Sequence, residues 1–126
     1  MHECVQLVCT HTRRRQAAVS FVFLGDADIQ NLNRDYLGHD YPTDVLTFPL
    51  GEEGDLEGEI YIGADVAVRQ AHDHHVTTRE EVVRLAIHGL LHLLGYDDQE
   101  PKEAADMHAT QEHLVAKWRT TSSQGE

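Results

Sequence analysis

Apolar positions along this chain switch between two periods, and each switch marks the edge of an element. Val19 to Leu24, VSFVFL, is rich in β-branched and aromatic residues and predicts a buried strand. Ile29, Leu32 and Tyr36 then recur at helical spacing, behind Asp26, which can cap the helix, and before Gly38, which can end it. In PTDVLTFP the period returns to two. Val45 to Phe48 read as a strand, and a proline at each end places it near a sheet edge. The helix between these strands predicts a parallel, right-handed crossover. The acidic stretch Gly51 to Gly58 reads as a solvated hairpin loop, leading to a strand from Glu59 to Ile62 antiparallel to the one before.

The second half reads as helical. Asp65 opens a segment with Val68 and Ala71 inward. Thr78 and Glu81 have capping-box spacing, and Val82, Val83, Leu85, Ile87, Leu90, Leu91, Leu93 and Leu94 follow on nearly every face, as for a helix sunk in a core. Pro101 suits a first helical position, and Ala104, Met107, Gln111, Leu114, Val115 and Trp118 make a packing stripe behind it. At the N-terminus Cys4, Leu7, Val8 and His11 have helix-like spacing, although CVQLVC also suits a short strand. The expected fold is α+β, a single domain over residues 1–119 with a small mixed β-sheet packed against several helices. Residues 120–126 bury nothing and are expected to be a disordered tail.

A chain of 126 residues is about one domain long. With 10 Lys and Arg against 22 Asp and Glu, its formal net charge is −12 with histidines neutral. That argues against charge-driven adhesion to nucleic acid, which needs cations to neutralise phosphates, but leaves room for a local basic groove. Arg13, Arg14 and Arg15 form the one dense basic run, read first as a solvated helix end. Cys4 and Cys9 are too few for a disulfide framework and wrongly spaced for a metal clip. No run approaches the ~18 apolar residues of a membrane span, and a cytoplasmic address with no membrane partner and no nucleotide cofactor is expected.

The chemistry concentrates in HGLLHLLGYDD, His88 to Asp98. On a helix, His88 and His92 leave the same face one turn apart, where both can reach one metal ion. Gly95 can supply a left-handed turn that folds a following carboxylate, Asp97 or Asp98, back toward the imidazoles. Two nitrogens and one oxygen around an open position suit a catalytic Zn²⁺ that activates water. In zinc peptidases of the HExxH type a Glu follows the first His as general base; here that residue is Gly89. The tract HDHH, with His72, His74 and His75, reads as a polar helix end.

PTDVLTFP, GEIYI and HGLLHLLGYDD together resemble the YbeY family of metal-dependent endoribonucleases, or rRNA maturation factors, from about Val19 to Trp118. The family's pattern is HGxLHLxGYDH, with three zinc-binding histidines. His88 and His92 match the first two, and Asp98 falls at the third, which is why the resemblance selects it over Asp97. A carboxylate oxygen can ligate zinc, though its charge should leave the bound water less acidic than three imidazoles would. In LNRDYL, Leu37 stands where many members carry an Arg, so no phosphate-gripping role carries over. The N-terminus is short for the family's opening strand and helix. The resemblance implies one Zn²⁺ held by His88, His92 and Asp98. It also implies an endoribonuclease that matures the 3′ end of small-subunit ribosomal RNA and serves ribosome quality control, with ribosomal RNA or the small subunit as partner.

No general base is evident. Asp97 and Glu59 are candidates by chemical type alone, and cations for RNA would come from Arg34, Arg69, Arg79 and Arg84 or from Arg13 to Arg15. Two rival readings share the ligands: a metallohydrolase of another bond, such as a peptide, and a non-catalytic ribosome-assembly module with structural zinc.

Overall fold

A computed structural model describes residues 1–14, 17–52 and 54–124, with side chains through Thr121. Its elements are α1 (His2–Thr12), β1 (Ala18–Leu24), α2 (Asp26–Leu37), β2 (Val45–Pro49), β3 (Glu57–Gly63), α3 (Ala64–Asp73), α4 (Thr78–Leu93) and α5 (Pro101–Gln124). This is the expected α+β arrangement, and the N-terminal run that suited either helix or strand is helix.

The sheet has the order β1-β3-β2, with β1 parallel and β2 antiparallel to β3. The hairpin is as expected, but β2 is not the parallel neighbour of β1, because β3 stands between them. Burial explains the order. Gly58, Ile60, Ile62 and Gly63 of β3 are all buried, so the strand covered on both faces takes the centre. Pro49 ends β2 at the sheet edge, where its missing N–H costs no ladder bond.

Helix α4 lies across one face of this sheet. Ala86, Ile87, Leu90 and Leu91 have no exposed surface, and truncating such a leucine to alanine costs about 2–5 kcal/mol. The helix lies close to the strands at Gly89. A Cβ there would stand 2.9 Å from Ile60 Cγ2 and 3.2 Å from Thr47 Cγ2, so only glycine lets the helix lie this near the strands. Helix α2 covers part of the opposite face, where Tyr36 meets Phe48 edge-on with ring centroids 5.2 Å apart and Phe48 meets Tyr61 at 5.4 Å.

Several helix starts and faces differ from expectation. The cap of α4 is Thr77, whose hydroxyl accepts from the Glu80 N–H at 3.1 Å, and not Thr78. Glu81, expected to close the capping box, is buried and bonded to Arg84 instead. Two adjacent threonines offer two registers, and the ion pair selects one. The N-cap of α2 is Gly25; Asp26 is already helical, and its N–H is capped from α3 by Asp65 at 3.0 Å. Tyr36 is 67 % exposed, since α2 turns Ile29 and Asn33 inward. Val68 is likewise exposed, because the small Ala67 and Ala71 form the packed face of α3. Helix α5 is described to Gln124, and Thr120 Oγ1 donates to Ala116 O at 3.2 Å within it. Gly125 and Glu126 lie outside the described residues, as does Arg15 of the basic run.

Candidate metal centre

The last turn of α4 and the bend after it bring His88, His92 and Asp98 together. Each offers one ligand atom, and these atoms all lie within 4.8 Å of one another. The imidazoles meet edge-on with centroids 4.7 Å apart, as side chains one helical turn apart should. Gly95 makes the bend with φ of 102°, a conformation that side chains rarely adopt. Its N–H returns to His92 O at 3.0 Å and that of Tyr96 to Leu91 O at 3.0 Å, closing the helix. The reversal also aims the Tyr96 carbonyl at His92 Nδ1, at 3.1 Å, and carries Asp98 Oδ2 to 3.8 Å from His92 Nε2.

Both rings are oriented by the nitrogen that faces away from the cluster. His92 Nδ1 donates to the Tyr96 carbonyl, and His88 Nδ1 meets Gln111 Oε1 at 2.7 Å. With both Nδ1 atoms engaged, the Nε2 atoms are those left for a cation. Burial, and next the neighbouring His88, pushes the His92 imidazole below the usual histidine range, so a neutral, ligating form is favoured. Two imidazole nitrogens and a carboxylate oxygen fit a zinc-type cation. A cleft of about 240 Å³, lined by His88, Asp98, Ala104, Met107, His108 and Gln111, opens beside them. This is the one such cluster of metal-capable side chains among the described residues.

The other candidates are placed elsewhere. Asp97 Oδ1 accepts from the backbone N–H groups of Asp98 and Gln99 at 2.7 and 3.1 Å, and the residue lines a separate cleft with Glu103 and Asp106. Glu59 pairs across the sheet with Phe48; both alternate with Thr47 and Ile60, which face α4, so Glu59 lies on the far side. Neither carboxylate is brought to the imidazoles. His74 reaches Glu81 at 3.4 Å, and HDHH forms the exposed end of α3, as expected.

Among the described residues, Arg34, Arg69, Arg79 and Arg84 do not form a free groove. Arg69 grips Asp26 at 2.9 and 3.0 Å, and Arg34 reaches Asp35 and Asp40 at 3.4 and 3.8 Å. Arg84 is bound to Glu80, Glu81 and Glu112, and Arg79 lies 5.5 Å over the Trp118 ring. Arg13 is exposed at the C-terminal end of α1, and Leu37 is exposed at the end of α2. What sequence reasoning missed lies on α5. The sequence stripe places Gln111 in core packing, and His108 lines the cleft at the position three before it. A polar residue inside the stripe Met107, Gln111, Leu114 was the available signal.

Over residues 1–119 the sequence matches the family model described as Endoribonuclease YbeY. The chain belongs to the YbeY family. A Chlorobaculum tepidum protein named Endoribonuclease YbeY is 36 % identical over 117 residues, spanning 93 % of this chain and 85 % of that relative. One of the same name from Moorella thermoacetica is 44 % identical over 113 residues, 80 % of this chain and 72 % of its own length. A Thermotoga maritima protein solved in solution superposes with a TM-score of 0.68 at 32 % identity, covering 98 % of this chain and 86 % of that one. YbeY membership thus covers the sheet, α4 and the bend that together build the candidate metal centre.

Proposed function

We propose that this chain is a metal-dependent endoribonuclease whose single Zn²⁺ is held by His88, His92 and Asp98. The observation that carries the reading is the convergence of those three donors beside an open cleft, in a chain whose YbeY relatives are named endoribonucleases. A bound zinc ion supplies Lewis acidity toward a phosphoryl oxygen and lets water act as a nucleophile at neutral pH. The protein's part is to hold the donors in position. His88 and His92 keep their protons on Nδ1 and direct Nε2 inward, while Asp98 contributes charge. His108 lines the same cleft as His88 and Asp98.

The site of Gly89 argues against a peptidase of the HExxH type. A peptidase of the HExxH type needs a Glu there, and this position faces Ile60 and Thr47 with no room even for a Cβ. The paired arginines and the net charge of −12 give little phosphate affinity of their own, so docking on a ribosomal partner would deliver the RNA. Maturation of small-subunit ribosomal RNA in the cytoplasm fits this reading. It agrees with the free thiols of Cys4 and Cys9, and no helix among the described residues is long and apolar enough to cross a membrane.

The test is cleavage of precursor ribosomal RNA by zinc-loaded parent and by His92→Ala, with metal content measured on both. The parent should carry about one zinc and cut, and the variant should carry none and not cut. Peptide cleavage by the parent without RNA cleavage would refute the assignment. Collapse of the fold in His88→Ala would instead favour a structural zinc.

A further inference from the structure

A chain of polar contacts runs away from His88 into the ion pairs at the start of α4. His88 Nδ1 meets Gln111 Oε1 at 2.7 Å, and Gln111 Nε2 donates to Glu112 Oε2 at 3.1 Å. Glu112 in turn accepts from Arg84 Nε at 2.8 Å and Nη2 at 3.1 Å. Arg84 also bonds Glu80 and Glu81, and Arg119 closes on Glu80 at 2.6 and 2.9 Å. Gln111 is 7 % exposed, and both ends of its amide have protein partners.

We propose that Gln111 is a positioning residue: its side-chain carbonyl, oriented by Glu112 and Arg84, holds the proton of His88 on Nδ1 and leaves Nε2 as the ligating nitrogen. The carbonyl can only accept, so the ring nitrogen facing it must donate. A flipped amide would set its oxygen against the Glu112 carboxylate, acceptor against acceptor; the carboxylate therefore decides which way the amide points, and the amide decides the imidazole tautomer. His92 needs no such side chain, since its Nδ1 donates to the Tyr96 backbone. Gln111 is thus the side-chain lever on the pair, and partners of this kind typically govern metal affinity.

The inference rests on the metal reading, and the test separates the two. Two-bond proton–nitrogen correlation spectra of the ion-free full-length protein, at about pH 8 where imidazoles are neutral, report each tautomer directly. The parent should show His88 protonated on Nδ1. Gln111→Met, unbranched and without a carbonyl, should move that proton to Nε2 and weaken Zn²⁺ binding about 10- to 100-fold in competition with a chromophoric chelator. Gln111→Glu keeps an acceptor toward His88 while losing the donor to Glu112, and should retain the parent tautomer. An Nδ1 proton and parental zinc affinity in folded Gln111→Met would overturn the proposal. If that variant fails to fold, Gln111→Glu decides by its tautomer: an Nε2 proton there overturns the proposal, and an Nδ1 proton supports it. Should the parent bind no zinc, the metal reading fails while the tautomers still judge Gln111.

Discussion

At its start α4 presents Glu80, Glu81 and Arg84; at its end it presents His88 and His92. At the first end these three charges meet countercharges within the fold: Arg84 is shared among Glu80, Glu81 and Glu112, and Arg119 completes Glu80. The Arg119 guanidinium beside Glu80 and the Arg84 guanidinium beside Glu112 hold both carboxyls below the usual range. At the second end only the outward nitrogens find protein partners, and the donors that converge are all acceptors or ligands. Saturated polar groups secure a helix; convergent electron-pair donors beside a cleft are poised for something that is not protein. Gln111 and Glu112 join the two ends.

The comparison can be broken at either end. Arg84→Met should have the largest effect, about 3–5 kcal/mol in urea unfolding, because it leaves Glu81, at 2 % exposure, with the His74 imidazole as its remaining side-chain contact and takes the shared cation from Glu80 and Glu112. A loss below about 1 kcal/mol would mean the cluster is not a structural hub. His92→Ala should do the reverse. Zinc binding by calorimetry should fall by more than about 100-fold, while the melting of ion-free protein stays within about 1 kcal/mol of the parent.

Between the ends, Gly89→Ala should lower the melting temperature. Overpacking against Ile60 costs about 1–3 kcal/mol and outweighs the gain in helix propensity of about 1 kcal/mol. A stabilised variant would show that the helix can lift from the sheet without penalty. The smallest effect is an acid slope. Glu80 and Glu112 have lowered folded-state pKa values, so the unfolded chain binds their protons first. Their contribution is complete above the ordinary value of 4.5 and is lost as pH falls through the lowered ones. Urea midpoints between about pH 3 and 6 should therefore fall with acid, less steeply in a Glu80→Gln, Glu112→Gln variant.

Much of this was legible in the one-dimensional pattern. The strands, α4 and α5 follow from period and punctuation, and His88, His92 and Asp98 were selected by spacing and resemblance and are found together. The faces of α2 and α3 were misread at Tyr36 and Val68 because large apolar residues were assumed to point inward. Small Ala67 and Ala71, and Asn33 bonded to Tyr41 O at 3.0 Å, filled the narrow spaces instead. Sheet order escaped for a related reason, since adjacency in sequence says which strands form a hairpin but not which is covered on both sides.

What this sequence determined by itself was local: a helix too apolar to lie anywhere but inside, two histidines one turn apart on it, and a glycine able to reverse the chain after it. These depend on spacing along a helix and on backbone freedom, which a sequence carries in full. Tertiary structure alone decided which carboxylates are already spent, that Asp97 serves the backbone and Glu59 the far side of the sheet. It alone set Gln111 behind His88 and Glu112 against Arg84, because a contact between residues 23 or 28 apart depends on how α5 lies against α4.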